Sequence, residues 1–384
     1  MHAFRRKRVR VEANQGASVT TLKAVETVNV LVVDDSAFMR TALTRMINSV
    51  ASLHVVDTAQ TGLEAIDKIR VLHPDVVTLD IEMPGLNGLD TLRRIMTELP
   101  RPVIMVSSLT QEGAVATLEA LEIGAFDCVA KQRSYASLDI VKVRDELVAK
   151  IIAAAGSCYE SGRLASRASP PTTPTGNFLT SVPSIVAIGT STGGPRALQH
   201  ILPMLPADLP VPVLVVQHMP VGFTGPFAKR LNAICNITVE ETTENAVLTR
   251  GHVYIAAAGS HVSLNRHANG QVVLHASTHP ADALHIPSVD VMMTSVANTY
   301  HGLAMGIILT GMGADGAIGM RSIFEAGGLT LGQNEQTCVV YGMPRCCAQQ
   351  NILRRIVPLH EIPNQIMAAV RYRNICASAQ VAHV

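Results

Sequence analysis

Two doubly wound, mainly parallel α/β domains joined by a linker are the fold this sequence predicts, and three observations predict it. Short β-branched runs alternate with helical stretches from Val28 to Ala155, a Ser/Pro/Thr-rich segment interrupts them, and the alternation resumes at Ser184. Strands alternating with helices imply parallel pairing through right-handed crossovers. At 384 residues the chain suits two such domains better than one.

Residues 1–27 are basic at their start (Arg5, Arg6, Lys7, Arg8, Arg10) and polar where a signal peptide needs its apolar core, so they read as a disordered extension. In 28–155 the expected strands are Val30-Val33, His54-Thr58, Val76-Leu79, Val103-Val106 and Cys128-Ala130. Between them lie amphipathic stretches such as Gly62-Leu72, with Leu63, Ile66 and Ile69 at helical spacing. Five such units make a flavodoxin-like domain. Residues 156–183, with Pro170, Pro171, Pro174 and many Ser and Thr, are the linker. In 184–375 Ile185-Ile188, Val213-Val216 and Met305-Leu309 read as buried strands. His252-Ala256 and Val272-His275 flank the Gly-containing stretch Asn265 to Gly270 and suggest an antiparallel excursion. Residues 376–384 are a tail.

Composition narrows the function. Lys+Arg 31 against Asp+Glu 30 leaves a net charge of +1, so no global field draws the chain to nucleic acid or anionic lipid. Aromatics at 3%, with no Trp, leave few platforms for stacking bases. No apolar run approaches the ~18 residues of a spanning helix, so membrane insertion is not expected. Seven Cys without paired spacing fit a reducing, cytoplasmic compartment better than a disulfide framework or a zinc site.

A first site gathers at strand ends. Asp34 and Asp35 close the first strand, Asp80 the third, Ser107 the fourth and Lys131 the fifth. In a doubly wound sheet these ends border the ligand crevice. Strand-end aspartates most often cap helices or face solvent; five chemistry-bearing residues in this order favour a site. Crowded carboxylates suit a hard cation such as Mg2+, and Asp80 is placed to attack a phosphoryl group whose oxygens Ser107 and Lys131 hold. The segments Val32-Val33-Asp34-Asp35-Ser36 and Leu79-Asp80-Ile81-Glu82-Met83-Pro84-Gly85, with Ser107 and Lys131, closely resemble the receiver domain of two-component response regulators. That resemblance implies Asp80 as acceptor of phosphate from a histidine kinase. It implies Mg2+ on Asp35, Asp80 and the backbone carbonyl of Glu82, with Asp34 nearby. Gln132 stands where receivers usually carry Pro, and Cys128 where many carry an aromatic switch residue.

A second site starts at Gly189-Thr190-Ser191-Thr192-Gly193-Gly194-Pro195, which follows a strand and opens a helix. Gly-x-Ser-x-Gly in that context fits a nucleophile elbow, with amides and a helix N-terminus facing any developing oxyanion. The competing reading, a phosphate-binding loop, lacks the Gly-Lys-Ser/Thr ending of a P-loop. Serine needs a base. His218 ends the next strand and Asp315 lies in a glycine-rich loop above another, so Asp315 could orient His218 and His218 deprotonate Ser191. The N–H of Met312 could line the oxyanion site. His252 and His261 are alternative bases, and His275 with His279 has metal-pair spacing in what reads as a loop.

These motifs, together with Gln217-His218-Met219-Pro220, Pro287-Ser288-Val289-Asp290, Leu309 through Gly316 and Gln333 through Arg345, resemble the chemotaxis protein-glutamate methylesterases from Val28 to about Met367. The resemblance implies Ser191 as nucleophile, His218 as base, Asp315 as its orienter, and oxyanion donors around Thr192 and Met312. It implies hydrolysis of glutamate methyl esters, and deamidation of glutamines, on methyl-accepting chemoreceptors at their arrays. It further implies a chemotaxis histidine kinase as phosphodonor and an unphosphorylated receiver blocking the esterase crevice. The esterase half needs no cofactor on this reading. The alternatives are a response regulator with a non-catalytic binding output domain and a nucleotide-binding output domain.

Overall fold

The computed structural model describes residues 27–108, 110–131, 139–156 and 182–370; the expected tails, most of the linker and Gln132 lie outside them. Five parallel strands, β1 (Val28–Val33), β2 (Leu53–Ala59), β3 (Val76–Asp80), β4 (Val103–Ser108) and β5 (Asp127–Lys131), are ordered β2-β1-β3-β4-β5. The helices between and after them are α1 (Ala37–Asn48), α2 (Gly62–Leu72), α3 (Gly88–Glu98), α4 (Gln111–Ile123) and α5 (Asp139–Gly156). Along β1, Leu31 and Val33 enter one core while Val30 and Val32 enter the other. Helices on both faces therefore require a continuous apolar strand rather than an alternating one. Ser36, Thr61, Asn87 and Thr110 cap α1 to α4 by accepting from the amides of Met39, Glu64, Asp90 and Gly113. Each such cap contributes about 1 kcal/mol.

Helix α2 departs from its pattern. Ala65, Ile66 and Ile69 are buried, but Leu63 is 57% exposed. The buried face is centred one residue over, with Gly62 against Thr91 and Leu86.

The second half has more strands than its sequence suggests. A seven-stranded sheet runs β14 (Arg355–Val357), β13 (Leu329–Gln333), β12 (Ala304–Ile308), β6 (Ile185–Thr190), β7 (Val213–Gln217), β9 (His252–Ile255), β8 (Thr238–Glu241). Every pairing in it is parallel. The expectation for His252-Ala256 is corrected. That run is β9, an inner parallel strand with Val253 and Ile255 fully buried. The antiparallel excursion is formed instead by β10 (His261–Arg266) and β11 (Val272–Ser277), paired across a turn with Gly270 at φ +84°. Helices α6 (Gly194–Ile201), α7 (Thr224–Ile234), α8 (Val289–Tyr300), α9 (Ala317–Glu325) and α10 (Met343–Gln349) complete the domain. Strand β6 lies between β7 and β12, so the chain builds the sheet outward from β6 first on one side and later on the other. Ligand crevices form at such switch points.

Candidate functional site

Ser191 and His218 each follow a member of the register pair Thr190↔Gln217. They therefore lie side by side at the ends of neighbouring strands, which run about 4.8 Å apart. Gln217 ties the two ends together, its Nε2 donating to the carbonyls of Ser191 (3.0 Å) and His218 (2.9 Å). On the other flank Thr310, after β12, accepts from the Ser191 amide at 3.1 Å and from the Thr190 hydroxyl at 2.9 Å. The turn needs its glycines. Gly193 has φ +78°, and a Cβ on Gly194 would fall 2.0 Å from Gln217 Oε1. The amide of Gly194 turns back onto the Ser191 carbonyl at 2.8 Å. Among the described residues the amides of Thr192 and Met312 make no hydrogen bond.

His218 Nε2 lies 2.8 Å from Asp315 Oδ2. Asp315 also accepts from the Ser288 hydroxyl (2.9 Å) and from the amides of Val289 (2.8 Å) and Asp290 (3.0 Å), the first turn of α8. Burial alone would raise its carboxyl, but the hydrogen bond and charge of His218 and the two amides hold it well below the usual range. A helix N-terminus favours an anion in the same sense. Asp315 is thus an anion, and the Nε2 it faces carries the proton. His218 Nδ1 is buried without a hydrogen-bond partner, so the Ser191 hydroxyl is not bonded to it in this state. Catalytic hydrogen bonds often close only when substrate binds.

The other histidines divide clearly. His261 is buried with both nitrogens engaged, Nε2 with the Pro280 carbonyl and Nδ1 with the Ser288 amide. His252 pairs with Glu240, and His275 with Glu244. His275 is in β11 and His279 in the loop beyond, both exposed. His261 therefore has no open nitrogen to offer Ser191, and the 275/279 spacing belongs to a strand end rather than a helix face.

At the ends of β1 and β3, Asp34 and Asp80 are buried and Asp35 is exposed. Each offers one oxygen within 4.8 Å of the others. Lys131 Nζ lies 2.9 Å from Asp34 Oδ2 and 2.7 Å from Asp80 Oδ2. Apart from Lys131, neither buried oxygen has a hydrogen-bond partner among the described residues. Burial pushes the Asp80 carboxyl up to about 6 against the pull of Lys131. Three clustered carboxylates, two of them sharing one ammonium, fit a hard divalent cation. The Glu82 amide donates to Asp80 Oδ1 at 3.2 Å, and its carboxylate accepts from Ser108. The Ser107 hydroxyl, buried, donates to the Gly113 carbonyl at 3.2 Å.

A model of the family described as CheB methylesterase matches residues 186–366, and one described as response regulator receiver domain matches residues 30–140. The protein-glutamate methylesterase/protein-glutamine glutaminase 1 of Oleidesulfovibrio alaskensis is 44% identical over 367 residues, covering 89% of this chain and 99% of its own length. Relative 2 of the same name from Nitratidesulfovibrio vulgaris is 45% identical over 368 residues, covering 88% and 98%. The chain belongs to the protein-glutamate methylesterase family. A crystal structure of the Thermotoga maritima CheB methylesterase catalytic domain is 36% identical, with TM-score 0.47, over 49% of this chain and 99% of that one.

The receiver of this methylesterase packs on the same side as Ser191. The Thr192 hydroxyl donates to Asp127 at the start of β5, at 2.6 Å. Glu122, at the end of α4, accepts from Gln199 at 2.8 Å and from the Arg230 guanidinium. Leu118 of α4 is buried in the esterase core cluster, while Val339 and Val340 of the esterase pack against a receiver core. Several groups escaped the sequence reading. Ser288 and Asp290 hold Asp315, Gln217 and Thr310 hold the serine turn, and His285 stacks on His218 with ring centroids 4.0 Å apart. The Pro287-to-Asp290, Gln217 and Leu309-to-Gly316 motifs marked four of these five without assigning them a part; nothing in the spacing marked His285.

Proposed function

We propose that this chain is a phosphorylation-regulated carboxylic-ester hydrolase. Its substrates are methyl esters of glutamate side chains on methyl-accepting chemoreceptors, and it deamidates particular receptor glutamines by the same route. The carrying observation is the pairing of His218 Nε2 with anionic Asp315 at the strand end beside Ser191, with the Nδ1 lone pair left free. His218 Nδ1 removes the proton of the Ser191 hydroxyl as Oγ bonds to the ester carbonyl carbon. The carbonyl electron pair moves onto oxygen, where the free amides of Thr192 and Met312 and the N-terminus of α6 face it. The oxyanion collapses, the C–O bond to the methoxy group breaks, and the proton on His218 leaves with methanol. A water then repeats the sequence on the acyl-serine and releases glutamate. A glutamine follows the same path with ammonia as leaving group. Asp315 keeps the proton on Nε2 and stabilises the imidazolium.

The receiver carries the control. Asp80 takes a phosphoryl group from a phosphohistidine of the chemotaxis kinase, with Ser107 and Lys131 on its oxygens. Asp35, Asp80 and the Glu82 carbonyl would hold Mg2+, beside Asp34, and the cation would neutralise charge on the transferring phosphoryl oxygens. Unphosphorylated, the face made by α4, β5 and α5 covers the serine crevice; phosphorylation shifts the population toward an open arrangement. Work in the cytoplasm at chemoreceptor arrays follows from that substrate; among the described residues no helix is long and apolar enough to cross a membrane.

The test is methanol release from methylated receptor by the full chain, with and without a small-molecule phosphodonor. Ser191→Ala reduces release to background in both states. Retained turnover would refute the nucleophile.

A further inference from the structure

One hydrogen bond, from His218 Nε2 to Asp315, fixes one point of the imidazole and leaves the ring free to pivot about that bond. A second contact removes the pivot. The His285 ring lies 4.0 Å from that of His218, centroid to centroid, at an interplanar angle of 20°. Flat rings at this separation are in van der Waals contact over their faces, so neither turns without displacing the other.

The segment that presents His285 is itself anchored. Ile286 accepts from the Gly259 amide at 3.4 Å, and the Ser288 amide donates to buried His261 at 3.0 Å. Ser288 then caps α8 and donates its hydroxyl to Asp315. Residues 285–290 thus supply a ring face to His218 and a hydroxyl and two amides to Asp315. One short stretch sets the base and its carboxylate relative to each other.

His285 suits this part because it stays neutral. Burial, and then the charge of His218, push its pKa down to about 4. The other charged groups facing it are Asp315 beyond β12 and Glu146 and Lys150 on α5 of the receiver. A cation stacked on His218 would oppose the imidazolium that forms during acylation; a neutral ring does not.

We infer that His285 is a positioning residue for the ester hydrolysis: stacked on His218, its ring holds that imidazole where Nε2 stays on Asp315 while Nδ1 serves Ser191. The inference rests on the reading of His218 as general base.

The test uses the full chain with phosphodonor and methylated receptor. His285→Ala lowers kcat about 10- to 100-fold with KM unchanged, the penalty of a misplaced catalytic group. His285→Phe, which keeps a flat neutral ring, recovers most of the loss. His218→Gln abolishes turnover. Wild-type kcat in His285→Ala, a change confined to KM, or a Phe variant no better than the Ala variant overturns the positioning part alone, provided His218→Gln is inactive. Activity in His218→Gln would overturn the base and the positioning together. Should His285→Ala fail to fold, Phe against Leu at the same site makes the comparison of ring against bulk.

Discussion

The hydroxyl of Thr192, the residue after the candidate nucleophile, donates a 2.6 Å hydrogen bond to the carboxylate of Asp127 in the receiver. Asp127 opens β5 and Lys131, which pairs with Asp80, closes it. One five-residue strand therefore joins the proposed phospho-acceptor to the serine turn. The contact does more than shade the crevice, because it engages the side chain of the residue whose amide is proposed to receive the oxyanion.

Asp127→Ala should raise the basal esterase rate without phosphodonor. A hydrogen bond to a charged group is worth about 1.5–3 kcal/mol, which shifts a closed–open equilibrium roughly tenfold or more. Comparing basal and phosphodonor-stimulated methanol release measures it. An unaltered basal rate would remove the bond from the inhibitory contact.

Asp80→Asn should abolish stimulation by phosphodonor, since no other described carboxylate combines burial at a strand end with the Lys131 contact except Asp34, which is offered as a cation neighbour. Chelating divalent metal should have the same effect on wild type while leaving its unstimulated hydrolysis intact. The expected reading is loss of radiolabelled phosphate incorporation. Loss of basal hydrolysis on chelation would mean that the esterase half needs a metal too.

Much of this was legible in the sequence, for a physical reason. Strand ends in a parallel sheet converge on one edge, so finding Asp34, Asp80 and Lys131, or Ser191 and His218, at the ends of apolar runs already brings them together. What joins loops is not periodic and could not be read. His285 meets His218 across 67 residues, and Asp127 meets Thr192 across 65; neither pair shares a register. Period also misled locally. Leu63 fits the helical pattern of α2 but points to solvent, and the short run His252–Ile255 does not declare whether its neighbour is parallel or antiparallel.

Asp290 should make stability fall as pH rises through weak acidity. Its carboxyl is buried beside Asp315, which raises it to about 6 from an ordinary 3.8, although the amides of Gly319 and Ile318 pull the other way. Between those values the folded chain binds more protons than the unfolded one, so the free energy of unfolding drops with rising pH. Asp290→Asn keeps an oxygen for the Gly319 amide, now 2.8 Å away, and removes the charge. Its melting temperature should exceed that of wild type at pH 8, with the gap closing toward pH 4. A gap independent of pH would assign the effect to packing.

Gly311 sets how close the loop after β12 approaches the proposed nucleophile, Ser191. A Cβ there would fall 2.9 Å from the Ser191 Cβ and 2.2 Å from the Met343 sulfur. The sulfur ends a flexible side chain and can swing away, whereas Ser191 is pinned through its amide to Thr310 and its carbonyl to Gln217. Gly311→Ala should therefore push on the serine turn itself. A displacement near 1 Å costs about 100-fold in rate, so kcat should fall by about that factor while receiver phosphorylation is untouched. KM should move little, because the substrate surface beyond the turn is unchanged. Wild-type kcat in this variant would show that Met343 alone absorbs the methyl group and that the serine has more room than its neighbours suggest.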